Sequence, residues 1–328
     1  MRLASIERNH LGKDMNRKDK VFVAGHRGMV GSAIVRKLKQ CGFESIIVRN
    51  REELDLLDGR QVLHFFEKEK PDVVILAAAK VGGIQANIDS PVQFLLDNLM
   101  IQNNVIKSAY QNGTKKFIFL ASSCIYPKKC NQPMAEDMLM TGPLEPTNEG
   151  YALAKIAGIK LLEYFNRQYG FDGFSLLPCN LYGTNDHFDL KVAHVLSSLV
   201  RRFCDAKDHA CPEVVLWGTG KAMREFMHVD DLASAVIYFM ENPPKERLLN
   251  IGVGEDISIL DLAQTIAELV GYHGEIKWDV SKPDGMLKKC MDVSKQKQYG
   301  FFPEISLKEG ILKTIHEYRE LKQKGVIQ

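Results

Sequence analysis

The apolar run Val21-Phe22-Val23-Ala24 passes at once into Gly25-His26-Arg27-Gly28-Met29-Val30-Gly31 and then into an amphipathic stretch reaching about Cys41. A strand that leaves through a glycine turn and a helix rejoins its sheet by a crossover, so its partners must be parallel strands. The alternation continues. Ser45-Ile46-Ile47-Val48, Pro71 to Ala79 and Phe117-Ile118-Phe119-Leu120-Ala121 are further β-prone runs, with a long helical stretch from about Val92 to Gln111. The run Val73-Val74-Ile75-Leu76 is apolar on both faces, as a central parallel strand must be. Residues 20–180 are therefore expected to form an α/β domain on a doubly wound parallel sheet of Rossmann type. Residues 181–328 should form mainly a smaller C-terminal α/β lobe, with the chain crossing back to the first domain in part of 225–260. Residues 1–19 are polar, mixed in charge and without apolar periodicity, and read as a flexible leader.

Composition excludes several classes. At 328 residues, 45% hydrophobic and 26% charged, the chain can bury a sizeable core and is not a disordered segment. Its net charge of +2 carries no nucleic-acid signature. No apolar run approaches the roughly 20 residues of a membrane span, and the N-terminus lacks a signal-peptide core. A cytoplasmic protein is expected. The seven cysteines are odd in number and never form C-x-x-C, so no disulfide framework and no metal site is expected. His228, Asp230 and Asp231 could be mistaken for metal ligands, but at a helix start they read as a cap and a structural contact.

The glycine turn has a chemical reading. Glycine permits positive φ and lets a phosphate reach backbone N–H groups, while the helix N-terminus supplies partial positive charge. A dinucleotide loop is expected at Gly25, His26, Arg27, Gly28, Met29, Val30 and Gly31. The strand after it ends in Arg49-Asn50-Arg51, where enzymes selective for NAD place an acid. A guanidinium favours a 2′-phosphate, so Arg51, helped by Arg49 and Arg27, points to NADPH/NADP+. Solvated strand-end arginines are the plainer alternative. Asp55 or Asp58 could receive the adenine amino group. The small residues Ala77-Ala78-Ala79 would let a cofactor pass at the sheet edge.

Tyr151 and Lys155 stand four apart on a helix running to about Tyr169, so they share a face. An ammonium beside a phenol should lower the tyrosine pKa toward a value suited to protonating a carbonyl oxygen. Tyr318 and Lys322 repeat the spacing in a polar C-terminal helix and read as a solvated face. What singles out Tyr151 is order: glycine loop, apolar strand, Ser122, then Tyr151 and Lys155.

With Ser122-Ser123-Cys124-Ile125-Tyr126-Pro127, Ala78-Ala79-Lys80-Val81-Gly82-Gly83, Asn180-Leu181-Tyr182-Gly183, Trp217-Gly218-Thr219-Gly220, Met223-Arg224-Glu225-Phe226 and Ser281-Lys282-Pro283-Asp284-Gly285, the chain resembles the GDP-L-fucose synthase family of extended short-chain dehydrogenase/reductases. The resemblance runs from about Lys20 to the C-terminus. It implies conversion of GDP-4-keto-6-deoxy-D-mannose to GDP-L-fucose by two epimerisations and an NADPH reduction at one site. It also implies roles for Cys124 as base and His194 as acid, which would otherwise read as a packing thiol and an ordinary helix histidine. Ser122 would then bond the C4 oxygen, Tyr151 would protonate it, and Lys155 would hold the nicotinamide ribose. Leu56, Ala78, Pro178, Asn180, Leu181 and His194 join the cofactor contacts by the same resemblance. Ser123, Asn180, Asp284 and Lys289 are its implied substrate contacts. Arg202, Trp217 and Arg224 also suit a nucleoside diphosphate, which needs cations and a stacking surface. The stretch Gly285 to Lys289 lacks the proline that relatives carry. A homodimer through the Val92 to Gln111 helix and the Tyr151 helix follows by analogy. A related nucleotide-sugar epimerase or 4-ketoreductase, or an idle NADP-sensing protein, are the alternatives; an idle relative should have lost Ser122, Tyr151 or Lys155, and all three stand.

Overall fold

A computed structural model describes residues 15–190, 193–282 and 284–327. Most of the expected leader, residues 1–14, lies outside the described residues, as does Pro283 of the Ser281 to Gly285 motif. Residues 15–19 are fastened to the fold: the Arg17 carbonyl accepts the Glu44 N–H at 2.9 Å, and the Arg17 guanidinium lies 4.5 Å over the Phe43 ring.

The first half alternates as expected. Its elements are β1 (Val21–Ala24), α1 (Met29–Gln40), β2 (Ile46–Ile47), α2 (Gly59–Glu69), β3 (Val73–Leu76), α3 (Ile84–Asp89), α4 (Pro91–Gln111), β4 (Lys116–Leu120), α5 (Glu149–Tyr169) and β5 (Gly173–Pro178). Then follow β6 (Asn180–Tyr182), α6 (Val195–Asp208), β7 (Glu213–Trp217), β8 (Met223–Arg224), β9 (Phe226–His228), α7 (Val229–Glu241), β10 (Leu248–Ile251), β11 (Ile257–Ser258), α8 (Ile259–Val270), β12 (Glu275–Asp279), β13 (Lys288–Lys289), α9 (Ser294–Gln298) and α10 (Leu307–Gln323).

The main sheet is parallel throughout, six strands in the order β10-β5-β4-β3-β1-β2. Strand order reverses at β1, whose two neighbours are β2 and β3. A crevice therefore opens past the C-terminal ends of β1 and β3, where Ala24 stands opposite Leu76. Helices α4 and α5 pack together on one side of the sheet, and α1 and α7 pack together. Helix α5 approaches closely because of Gly158: a Cβ there would lie 2.7 Å from both Gln102 Oε1 and the Phe119 ring. Gln102 Nε2 in turn donates to the Ala154 carbonyl at 2.6 Å. This approach brings Lys155 within reach of the end of β4.

The remaining strands and α6, α8 and α10 form a second core around Leu199, Phe203, Leu262, Ile266 and Ile311. Between them the chain returns to the main sheet as α7 and β10. Tyr318 belongs to this second core, so the expectation of a solvated face there is corrected. It is fully buried, and its hydroxyl donates to Asp205 at 2.6 Å while Lys322 pairs with the same carboxylate. The polar residues flanking it in sequence belong to the outer face of α10.

At the start of α7, His228 Nδ1 accepts the Asp230 N–H at 3.2 Å, and the Asp231 carboxylate accepts the Glu304 and Ile305 N–H groups. Among the described residues no group of histidine, cysteine and carboxylate side chains is arranged to hold a metal ion, and no helix is long and apolar enough to cross a membrane.

Candidate active site

A cleft of about 790 Å³ runs from the glycine loop across the ends of β1, β3 and β4 to the lobe. Its floor is set by two glycines. Gly25 has φ +89°, and a Cβ on it would stand 2.7 Å from the Ala78 nitrogen; one on Gly31 would stand 2.1 Å from the Gly25 carbonyl oxygen. No other residue fits either place. Gly28 caps α1 without a side-chain bond, which leaves the first N–H groups of the helix open to a ligand. These features fit a dinucleotide pyrophosphate.

Met29, Val30, Leu56, Ala78, Pro178, Asn180 and Leu181 line the cleft with the three glycines. His26 and Arg27 are not among its lining residues, and Arg27 is exposed. The two strand-end arginines divide. Arg49 is committed to Glu69 at 2.7 Å and lies over the Phe65 ring, whereas the Arg51 side chain is 78% exposed with Asp55 only at 3.9 Å. Arg51 is thus the guanidinium able to turn to a new anion. Asp58 caps α2, accepting from the Arg60 and Gln61 N–H groups, and of these two acids only Asp55 lines the cleft. Asn104 on α4 fixes this wall by donating to the Leu56 and Leu57 carbonyls.

At the far end Ser122, Ser123, Cys124, Tyr151, Lys155 and His194 all line the same cleft. β4 delivers the first three, and the Ser122 hydroxyl accepts the Cys124 N–H at 3.4 Å, starting a short 3₁₀ turn that presents the thiol. Lys155 is 3% exposed; its Nζ donates to the Leu120 carbonyl at 2.9 Å and lies 5.8 Å from the centre of the Tyr151 ring. Burial pushes this lysine down to about 8, with the facing Cys124 opposing the shift. The expected lowering of the Tyr151 pKa is corrected: burial, and after it Cys124, push it well above the ordinary phenol value. The Lys155 ammonium spends its bond on the sheet rather than on the phenol, so Tyr151 stays protonated and is a donor. His194 is exposed at the cap of α6.

The lobe closes the cleft with Arg224 and Lys289, which stand opposite one another where β8 pairs with β13. Burial lowers the Lys289 pKa, with Cys124 opposing the shift. Arg202, Trp217 and Asp284 are not lining residues. Arg202 Nε donates to the Ser198 hydroxyl at 3.5 Å, and Trp217 is 67% exposed with Lys282 Nζ 5.5 Å over its ring. The Asp284 carboxylate accepts the Thr219 N–H and hydroxyl, both at 2.7 Å, and its backbone carbonyl receives Arg224 at 3.4 Å.

Two residues escaped the sequence reading. His187 also lines the cleft, in a turn just past the Asn180-Leu181-Tyr182-Gly183 motif that offered no periodicity to mark it. Glu225 was noticed only as part of a motif, although a carboxylate inside an apolar β-prone stretch is itself a signal of buried partners.

Comparison with known proteins agrees with this geometry. The model of the NAD dependent epimerase/dehydratase family matches residues 21–252. The GDP-L-fucose synthase of Escherichia coli (strain K12) is 52% identical over 92% of this chain and 97% of its own length. Among solved structures, a GDP-6-OMe-4-keto-L-xylo-heptose reductase from Campylobacter jejuni superposes with a TM-score of 0.87 at 36% identity, covering 94% of this chain and 99% of that one. A GDP-L-fucose synthetase from Naegleria fowleri bound to NADP gives a TM-score of 0.87 at 28% identity, over 96% and 99%. The chain is a member of the NAD dependent epimerase/dehydratase family and, within it, of the GDP-L-fucose synthases.

Proposed function

We propose that the protein epimerises GDP-4-keto-6-deoxy-D-mannose at C3 and C5 and reduces the C4 ketone with NADPH, giving GDP-L-fucose. The observation that carries this reading is one cleft holding Ser122, Tyr151 and Lys155 together with Cys124 and His194. A simple ketoreductase needs only the first three. A C4 ketone acidifies the protons on C3 and C5, and inverting each carbon requires a base on one face and an acid on the other. Cys124 is the base and His194 the acid, both at the same cleft. Each inversion leaves a proton on the thiol and takes one from the imidazole, so both groups exchange a proton with solvent before the second inversion.

The Ser122 hydroxyl holds the C4 oxygen, and Tyr151 gives that oxygen its proton. NADPH, when bound, supplies the hydride to C4. Gly25 to Gly31 hold its pyrophosphate, with His26 and Arg27 at the rim, and Arg51 takes its 2′-phosphate. Leu56, Ala78, Pro178, Asn180 and Leu181 form its walls, and Lys155 holds its nicotinamide ribose with His194 beside it. Ser123, Asn180, Arg224 and Lys289 bind the sugar nucleotide. Asp284 acts through Arg224, and Arg202 and Trp217 receive the guanine end. Offering the enzyme GDP-linked and UDP-linked 4-keto-6-deoxyhexoses tests the substrate class: preferred NADPH consumption with the UDP compound would refute it.

Arg51→Ala should weaken NADPH binding about tenfold while leaving NADH nearly unchanged, since a charge-assisted bond is worth roughly 1.5–3 kcal/mol and an exposed one falls at the low end. Fluorescence titration with both nucleotides checks this, and equal losses would remove Arg51 from the 2′-phosphate. The Lys155 ammonium is lost as pH rises through about 8. The kcat/KM for reduction, which reports the free enzyme, should therefore fall about tenfold per pH unit above that point. A profile flat to pH 10 would contradict this role.

We also propose a homodimer. Val92, Leu96 and Met100 form an exposed apolar stripe on α4, with Leu153 and Tyr164 exposed on neighbouring α5. Sedimentation at the monomer mass would exclude it. The seven free thiols fit a reducing compartment such as the cytoplasm; exclusive recovery in an oxidising compartment would refute that placement.

A further inference from the structure

Glu225 is a buried charge to which the chemistry above gives no part. It is 1% exposed and sits between Arg224, which lines the cleft, and β9. Its Oε1 accepts the Val253 and Gly254 N–H groups at 2.7 and 2.8 Å, and its Oε2 accepts the Met291 N–H at 2.9 Å. Its backbone carbonyl accepts Asn180 Nδ2 at 2.8 Å. Burying a carboxylate costs several kcal/mol unless it is bonded, and three amide donors offset part of that cost. Burial still pushes its pKa upward.

The donors come from separate parts of the chain. Val253 and Gly254 follow β10, the last strand of the main sheet, whereas Met291 lies just past Lys289. β13 is held to β8 through two residue pairs only, Lys288 with Met223 and Lys289 with Arg224. Beyond them the chain is anchored by backbone and side-chain bonds. Met134 exchanges backbone bonds with Cys290 and Asp292, Gln132 accepts the Cys290 N–H, Asn250 of β10 donates to the Met134 and Asp292 carbonyls, and Glu225 accepts the Met291 N–H between them. The residue thus meets three things: its backbone carbonyl holds the cleft amide Asn180, its peptide bond joins it to the cleft cation Arg224, and its side chain alone reaches the segment that follows Lys289.

We propose that Glu225 is a positioning residue that sets Lys289 and Arg224 at the sugar-nucleotide end of the cleft by tying the lobe strand to the end of β10. The proposal rests on the reading of Lys289 and Arg224 as substrate contacts. It assigns to Glu225 control over sugar-nucleotide affinity, separable from cofactor binding, because the glycine loop, Arg51 and Lys155 stand on other elements.

Glu225→Gln isolates one arm. Its amide oxygen can still serve Val253 and Gly254, but its NH₂ then faces the Met291 N–H, donor against donor. In the full-length enzyme loaded with NADP+, GDP affinity measured by calorimetry should fall roughly tenfold, since Lys289 and Arg224 would then have to be ordered by the ligand itself. The KM for the sugar nucleotide should rise in parallel, with kcat less affected, and the NADPH Kd should stay within about twofold, as expected when uniform binding is removed. Gly252→Ala displaces the same carboxylate from its other arm, because a Cβ there would stand 2.1 Å from Glu225 Oε1. It should give the same selective loss, and it carries the test should Glu225→Gln fail to fold. Lys289→Met, measured alongside, separates the two layers of argument. If Lys289→Met binds GDP as tightly as wild type, the substrate reading itself is wrong. If Lys289→Met is impaired while Glu225→Gln and Gly252→Ala bind GDP normally, or lose NADPH equally, the positioning role is overturned.

Discussion

Cys124→Ser should stop exchange of the C3 and C5 protons of the substrate while leaving the fold and NADPH binding intact. A serine hydroxyl is not a useful base near neutral pH, and loss of a positioned base costs about 10²–10⁴-fold. The fold should survive because the change is nearly isosteric, and because the turn is held by the backbone N–H of residue 124 bonding to Ser122. The measurement is deuterium uptake from D₂O into the substrate, followed by NMR with NADP+ present so that reduction does not intervene. Exchange at near wild-type rate would remove the thiol from the chemistry. Loss at one carbon only would restrict Cys124 to a single inversion.

Tyr151→Phe should do the reverse. Removing the hydroxyl takes away the proton destined for the C4 oxygen, so reduction should slow by about 10²–10⁴-fold, in kcat more than in KM. Proton exchange at C3 and C5 should persist, because Cys124, His194 and Ser122 remain. The ring of residue 151 would still sit near the Lys155 ammonium, and Lys155 would still bond the Leu120 carbonyl, so folding should hardly change. Single-turnover NADPH oxidation beside the exchange assay separates the steps. Equal loss in both would mean that Tyr151 also stabilises the enolate, and undiminished reduction would refute its role as acid.

What could be read without coordinates was what the backbone itself demands. Gly25 and Gly31 sit where a side chain would strike the neighbouring main chain, so the glycine loop announced itself. The apolar runs of β1, β3 and β4 are fully buried or nearly so, and their alternation with helices led directly to a parallel sheet. What escaped were pairings between residues far apart in the chain. Nothing local indicates that Arg49 is taken by Glu69, or that Asp284 belongs to Thr219, 65 residues earlier. The Tyr151 expectation went wrong for a related reason: helical spacing puts Lys155 beside the phenol, but only packing at Gly158 reveals that its proton reaches the sheet instead. In the lobe, short strands of two residues such as β8 and β13 carry too little pattern to be seen.

The central claim is that one cleft epimerises two carbons and then reduces a third position. Its most direct test is incubation of the purified protein with NADPH and GDP-4-keto-6-deoxy-D-mannose in D₂O, with the product identified by NMR. The account predicts GDP-L-fucose carrying deuterium at C3 and C5, formed with stoichiometric consumption of NADPH. A reduced product that keeps the configuration and the protons of the substrate at both carbons, or no product and no cofactor consumption, would contradict it.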